Sequence, residues 1–396
     1  MDKKNILILS NKPAYPKNDG GSFAISQMLE ILLELNHNVT FVCIETNKHP
    51  SFKNISKNNL TYKSFFIDTK IKINKLITTL LNRKSYIIQR FFDENFKNFL
   101  EDILSKNSFD LILFESLYSS LYLKYILKLS KAKIIYRCHN IEHKIWFHEK
   151  KLNYNIFQKI YLNFEYEFLK KFELKFWNKV DIICSISNKD RDYIISKTKT
   201  KVKLVSVFFS ESNQNNEDYN EKKTSTIIKF FHIGSMDWRP NLSGIRWFLE
   251  KIWKKFILKN KKSEFHIGGK SMPKKIINLE YANYYNHSFI NKIETFMKKY
   301  DVMIVPIKSG SGIRIKIIQA MTLKKCIIST SIGAEGIDYT HRKNIIIANT
   351  HDQFYNEMIY CVKNPGKIKE IGENAYLLSK KYFSKKNIVN QIKTIF

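Results

Sequence analysis

Apolar positions in this chain switch repeatedly between two periods. Asn5–Leu9 is a short run that is apolar on both faces, and Val39–Ile44 repeats it. Between them Ile25, Met28, Leu29, Leu32 and Leu33 recur at the spacing of one helix face. The loop Asn11–Gly21, which holds Pro13, Pro16, Gly20 and Gly21, precedes that helix, with Ser22 as the expected N-cap and Asn36 and His37 at its end. Strands apolar on both sides with a helix between them predict a parallel sheet covered on both faces. Further strands are predicted at Asp110–Phe114, Lys133–Cys138, Asp181–Ile186 and Lys203–Phe209, with a long helix from about Tyr154 to Trp177. Lys70–Leu104 reads as helical and basic, with Phe91, Phe92 and Phe96 among its apolar positions. Such a segment serves either as a cover for the sheet or as a contact for a bilayer or a lipid-linked substrate.

Ser210–Ser225 breaks the pattern. It is polar, rich in Asn, Glu and Lys, and reads as a linker. The alternation restarts at Thr226, with strands Ile227–Ile233, Glu264–Ile267, Asp301–Pro306, Cys326–Thr330 and Asn344–Ile347. Helices are predicted near Leu242–Lys259, Asn291–Lys299, Ile313–Leu323 and Asp352–Lys363, and a last one over Lys386–Phe396. The expected fold is α/β, with two Rossmann-like doubly wound domains at 1–209 and 226–380, the linker at 210–225, and a separate tail at 381–396. Ligands of open α/β sheets sit outside the C-terminal ends of the strands, so a cleft between facing sheets is the expected active site.

The 396 residues and the 44% hydrophobic content suit two real cores and exclude a disordered chain. The formal net charge is +31, from 67 Lys and Arg against 36 Asp and Glu. Lys is spread over the whole chain, which fits a general surface bias; an anionic membrane surface is the other partner the charge suggests. No nucleic-acid motif accompanies it, so nucleic acid is not an expected partner. Cys43, Cys138, Cys184, Cys326 and Cys361 lack metal or redox spacing, as in a reducing compartment. Met1–Ser10 is too short in apolar length for a signal peptide to be expected, and no run approaches about 20 apolar residues. The expected location is cytoplasmic, with the inner face of the membrane as the candidate surface for the charge.

Candidate chemistry falls at predicted strand ends. Gly310-Ser311-Gly312-Ile313-Arg314-Ile315-Lys316 follows a strand and opens a helix. Glycines admit a ligand to the backbone, and the helix N-terminus offers free N–H groups to a phosphate. Arg314 and Lys316 oppose the helix dipole there, a cost that a bound anion would neutralise. Gly234-Ser235-Met236-Asp237-Trp238-Arg239-Pro240-Asn241 occupies the position of a nucleotide-binding loop, with Arg239 in reach of a phosphate; the plainer reading is a turn capped by Asn241. His139, in Arg137–His143, stands at the end of a parallel strand. Gly20 and Gly21 lack dinucleotide-fingerprint spacing, so NAD is not expected. Glu335, in Gly333–Gly336, is placed to accept sugar or ribose hydroxyls. Asp190-Arg191-Asp192 matches a short metal-binding pattern but falls in a helix start, and no metal or cofactor is expected.

These segments resemble glycosyltransferase family 4 and its relatives, also called glycosyltransferase group 1, which have the GT-B fold. The resemblance covers nearly the whole chain and is most specific in Gly234–Phe248 and Ser309–Ile337, with support from Arg137–His143 and Asp181–Asp190. It implies metal-independent, retaining transfer from a nucleotide-diphosphate sugar to a glycan or lipid-linked acceptor, in cell-surface polysaccharide synthesis. It implies diphosphate contacts from the Gly234 loop with Arg239 and from Ser311, Gly312, Arg314 and Lys316. It puts His139 near the transferred sugar, Gly20 and Gly21 where the N-terminal loop meets donor or acceptor, and the last helix back against the first domain. Many members carry two glutamates where this chain has Ser311 and Gln319. Gln319 can bond a ribose hydroxyl only as a neutral group. That departure leaves open a GT-B chain that binds a partner or a sugar nucleotide without transfer. A nucleotide-sugar epimerase would use carboxylates, for which Glu335 and Glu142 are the candidates.

Overall fold

A computed structural model describes residues 2–17, 19–52, 55–149, 155–209, 227–310 and 312–396. The chain forms two compact units, Met1–Val207 with Val389–Phe396, and Phe208–Ile388. The expected linker at 210–225 lies outside the described residues, as does Ser311.

The first unit is built on a parallel sheet of β1 (Asn5–Ser10), β2 (Asn38–Glu45), β3 (Leu60–Phe66), β4 (Leu111–Phe114), β5 (Lys133–Cys138), β6 (Ile182–Ser185) and β7 (Lys201–Leu204). Its order is β3-β2-β1-β4-β5-β6-β7, with Ile6 beside Val39 on one side and Leu111 on the other. The burial of whole strands, such as β4, follows from helices on both faces. Leu7, Leu9, Ile112, Phe114, Phe96, Phe176 and Trp177 share one core cluster. Ile392, Ile395 and Phe396 are buried at the C-terminus, and Lys133 Nζ donates to the Ile395 carbonyl at 3.5 Å.

Several sequence expectations are corrected here. Asp19, not Ser22, caps the first helix, which runs Gly20–Glu34; the Asp19 carboxylate accepts from the Ser22 N–H at 2.8 Å. Lys70–Leu104 is not one helix but three, at Ile73–Leu81, Tyr86–Gln89 and Glu94–Lys106. Ser85 and Asp93 break it, each capping the helix that follows with its side chain. Phe91 and Phe96 are buried in the core rather than offered to a bilayer. The strand expected at Lys203–Phe209 is Lys201–Leu204. β3 was not expected, because as a half-exposed edge strand with Lys63 outward it lacks a continuous apolar run.

The second unit repeats the scheme with β8 (Ile228–Ile233), β9 (Ser263–Gly268), β10 (Tyr284–Asn286), β11 (Val302–Val305), β12 (Cys326–Ser329) and β13 (Ile346–Ile347). The order is β10-β9-β8-β11-β12-β13, again parallel throughout. Its core cluster includes Phe230, Phe248, Trp253, Phe265 and Ile304. Asn241 does not cap the helix Arg239–Phe248; it sits inside its first turn. Three elements went unread in the sequence, the three-residue β10 and the helices Lys274–Ile277 and Pro365–Phe383. All five cysteines are free and buried. No helix of the described residues is long and apolar enough to cross a membrane.

Candidate active site

In both sheets the order reverses once, between β1 and β4 and between β8 and β11. In open α/β sheets such a point parts the connections to opposite faces and leaves a crevice at the strand ends. The sequence motifs of the second unit meet at the second reversal. β8 ends at Ile233 and leads into Gly234, while β11 leads through Gly310 and Gly312 to the helix Ile315–Thr322. Both glycines are left-handed, with φ of 107° and 85°, a conformation that costs other residues backbone strain.

Lys316, in the first turn of that helix, reaches across the reversal. Its Nζ donates to the Ile233 carbonyl at 3.0 Å and to Asn241 Oδ1 at 2.8 Å, and lies 3.5 Å from His232 Nε2. His232 is fully buried with Nδ1 2.8 Å from the Ile304 carbonyl, so Nδ1 carries the proton and Nε2 accepts. Burial, then the charge of Lys316, hold the imidazole well below its usual range and neutral. The three acceptors match the three protons of an ammonium, yet burial, reinforced by Arg314, draws the Lys316 group down to about 7. Asn241 Nδ2 donates to the Ser235 carbonyl at 2.9 Å, tying the Gly234 loop to the same amide. A Cβ on Gly234 would stand 2.7 Å from Asn241 Nδ2 and 3.0 Å from Lys316 Nζ, so a side chain there would displace this network.

Arg314 occupies the N-cap position of Ile315–Thr322 without capping it by its side chain. It is 6% exposed, donates from Nη1 to the Gly312 carbonyl at 2.5 Å, and lays its guanidinium 5.2 Å from the Trp238 ring centroid. The two loops are thus joined twice, by Lys316 with Asn241 and by Arg314 with Trp238. Arg239 opens the helix Arg239–Phe248 and is exposed; Gln319 is half-buried one turn beyond Lys316; Glu335 is half-buried in the turn after β12. None of these three bonds to Lys316.

The first unit gathers charge at its own reversal. Lys12, beyond the end of β1, bonds Asp19 at 3.0 and 3.1 Å, and His49 Nδ1 is 3.7 Å from the same carboxylate. Burial works to raise the Asp19 carboxyl, but Lys12, the Ser22 N–H and His49 outweigh it and hold it at about 2. Gly20 begins the helix, and a Cβ on Gly21 would stand 2.6 Å from Lys12 Nζ. His139, just past β5, puts Nε2 2.6 Å from Glu115 Oε2. Glu115 is buried just past β4, and its other oxygen lies 3.4 Å from Arg137 Nη1, which also donates to the Ala24 carbonyl at 2.8 Å. Burial lowers the His139 imidazole, while Glu115 pulls the other way. Three residues on, Glu142 accepts from Tyr118 Oη at 2.8 Å and is raised to about 7 by burial and by Glu173. Glu173 accepts from the Glu142 and His143 N–H groups at 3.1 and 3.0 Å and from His143 Nδ1 at 2.7 Å.

Sequence reasoning missed Glu115, Lys12 and His232. Glu115 alone left a trace, an acid immediately after a four-residue apolar strand. Asp190, of the discounted acidic pattern, is buried in the helix Asn188–Ile195, where its N–H bonds the capping Ser187. No cluster of three or more metal-ligating side chains occurs among the described residues.

Residues 228–364, which contain both loops of the Lys316 network, match the family described as glycosyl transferases group 1. The whole chain is also similar in fold to sucrose-phosphate synthase from Thermosynechococcus elongatus, with a TM-score of 0.73 at 12% identity over 99% of this chain and 98% of that one. The fold is GT-B. Another GT-B structure, a variant of S. aureus TarM in complex with fondaparinux, alpha-GlcNAc-glycerol and UDP, matches with a TM-score of 0.68 at 13% identity over 99% of both chains. A Klebsiella pneumoniae protein described as an uncharacterized 44.6 kDa protein in the cps region is 26% identical over 98% of each chain. Family match and fold together support glycosyl transfer.

Proposed function

We propose that this chain is a retaining glycosyltransferase that moves a sugar from a nucleotide-diphosphate sugar to a glycan or lipid-linked acceptor. The observation that carries this reading is the bridge from Lys316 to Ile233 and Asn241, which locks the Gly234 loop onto a helix start at the sheet reversal. The buried Arg314, the half-buried Lys316, a helix N-terminus and two left-handed glycines form a frame for a pyrophosphate. The UDP in the TarM complex and the cps-region relative agree with the donor class and with cell-surface polysaccharide as the product.

In this reading Arg314, Lys316 and the free N–H groups of the first helical turn stabilise charge on the departing diphosphate. Preorganised donors of that kind are worth about 3–4 kcal/mol each. The C1–O bond to the diphosphate breaks, and the acceptor oxygen bonds C1 on the same face. The acceptor's proton passes to the departing phosphate oxygen. Arg239, Gly234 and Gly312 flank the diphosphate, and Gln319 and Glu335 meet ribose or sugar hydroxyls. His139, held by Glu115, orients a sugar hydroxyl, beside the Gly20–Gly21 helix start. No metal and no cofactor beyond the donor is needed, and the protein works at the cytoplasmic face of the membrane.

The test is incubation of the purified chain with radiolabelled nucleotide sugars and a membrane extract as acceptor source. The expected result is label moved to acceptor by wild type and not by the Arg314→Ala, Lys316→Ala double variant that remains folded. Equal transfer by both would remove the site. A folded wild type that binds the nucleotide sugar and neither transfers nor hydrolyses it would leave a binding protein, to which Gln319 points.

A further inference from the structure

The helix Ile73–Leu81 carries more apolar surface than its own unit covers. Leu76, Thr79 and Leu80 turn inward, and of these only Thr79 is fully buried. Ile73, Ile77 and Leu81 continue the apolar arc around the flank of the helix and are 73%, 51% and 78% exposed. They recur at i, i+4 and i+8, so they form one line along the helix. Ile71, in the approach to the helix, and Phe66, at the end of β3, are exposed as well.

The charge around this line is mostly positive. Residues 69–92 hold Lys70, Lys72, Lys75, Arg83, Lys84 and Arg90 and no Asp or Glu. Lys75 is turned inward, with Nζ on the Phe92 carbonyl at 3.3 Å, and Lys72 is 3.7 Å from Asp68. Lys70, Arg83 and Lys84 are exposed at the two ends of the helix. A short helix with a solvent-facing apolar line and cations at both ends fits the boundary between headgroups and acyl chains. Anionic headgroups would attract the cations, and the side chains along the line would enter the acyl boundary. An apolar protein groove would leave the cations unmatched.

The helix is also firmly seated. Lys72 N–H donates to Tyr86 Oη at 2.8 Å, and the next helix is held by Glu165, which accepts from Ser85 Oγ and from the Tyr86 and Ile87 N–H groups. Its exposed line is thus tied at its N-cap to the helix that Glu165 holds.

We infer that Ile73, Ile77 and Leu81, flanked by Lys70, Arg83 and Lys84, dock the first unit onto an anionic lipid surface. The docking gives the cytoplasmic membrane face of the proposed function its residues, and it does not depend on the transfer chemistry.

The experiment is co-sedimentation of the full chain, without nucleotide sugar, with phosphatidylcholine vesicles and with phosphatidylcholine–phosphatidylglycerol vesicles. Wild type should bind the anionic vesicles at least tenfold better, and added salt should weaken binding. The Ile73→Ser, Ile77→Ser, Leu81→Ser variant and the Lys70→Gln, Arg83→Gln, Lys84→Gln variant should each lose at least tenfold in affinity while keeping the wild-type circular dichroism. Equal binding to both vesicle types, no binding, or anionic binding unchanged in both variants overturns the proposal. So does a wild-type dimer that the triple Ser variant converts to monomer without change in vesicle binding, because the line would then be covered by a second copy. Failure here leaves the donor site untouched, since nucleotide binding is measured separately.

Discussion

Lys316 Nζ lies 2.8 Å from Asn241 Oδ1, one of the contacts that join the two glycine-containing loops of the second unit. Asn241 holds the Gly234 loop through Ser235 at the same time, so it acts as a positioning residue. Asn241→Ala should cost about 1–3 kcal/mol in urea unfolding, because a half-buried cation loses an acceptor. It should also weaken nucleoside-diphosphate binding by at least tenfold in calorimetric titration. A variant with both values at wild type would mean the contact organises nothing.

The lowered Lys316 group makes a pH prediction with a definite sign. Burial and Arg314 draw it down to about 7, against an ordinary 10.5. A diphosphate placed beside it favours the ammonium and raises that value. Binding above pH 7 therefore takes up a proton, and affinity should fall as pH rises, by up to about tenfold per unit. Below pH 7 this group is already charged and contributes no further slope. Lys316→Met should bind more weakly and flatten the profile between pH 7 and 9. An unchanged slope in that variant would take Lys316 out of the anion site.

Glu115 supports both His139 and Arg137 from a fully buried position. Glu115→Ala leaves the Arg137 guanidinium buried without its carboxylate, and should cost about 3–5 kcal/mol in chemical unfolding. His139→Ala removes a group at the edge of the site and should cost less than 1.5 kcal/mol while lowering transfer by at least tenfold. If His139→Ala destabilises as much as Glu115→Ala, the histidine is part of the scaffold rather than of the sugar site.

Much of the architecture was legible because parallel strands buried on both sides must read as continuous apolar runs. Both central strand sets and the long helix ending at Trp177 announced themselves that way. β3 and β10 did not, since edge strands expose one side and carry Lys63 or only three residues. The break of Lys70–Leu104 into three helices was hidden in Ser85 and Asp93, whose capping role shows only when Glu165 and Tyr122 are seen to fix the turns. Gly234, Arg314 and Lys316 stood out by spacing. Glu115 and His232 did not, because a buried acid or histidine has meaning only through a partner distant in sequence, here His139 and Lys316.

Asp19 caps the helix Gly20–Glu34 from a carboxyl held at about 2, against an ordinary 3.8. A depressed carboxyl stabilises the fold above its ordinary value and loses that contribution as pH falls toward 2. Asp19→Ala should cost about 1 kcal/mol at pH 7, as for loss of an N-cap. The difference between the two proteins should shrink between pH 4 and pH 2 in urea melts. A constant difference across that range would show that the charge is not what Asp19 contributes.

In the proposed function the second unit grips a pyrophosphate at Arg314 and Lys316. Calorimetric titration of the full chain with a panel of nucleoside diphosphates, beside the Arg314→Ala, Lys316→Ala variant, tests it most directly. Wild type should bind at least one diphosphate saturably, and the folded double variant should lose at least a hundredfold in affinity. Undiminished affinity in that variant, or no diphosphate bound by a folded wild type, would contradict it.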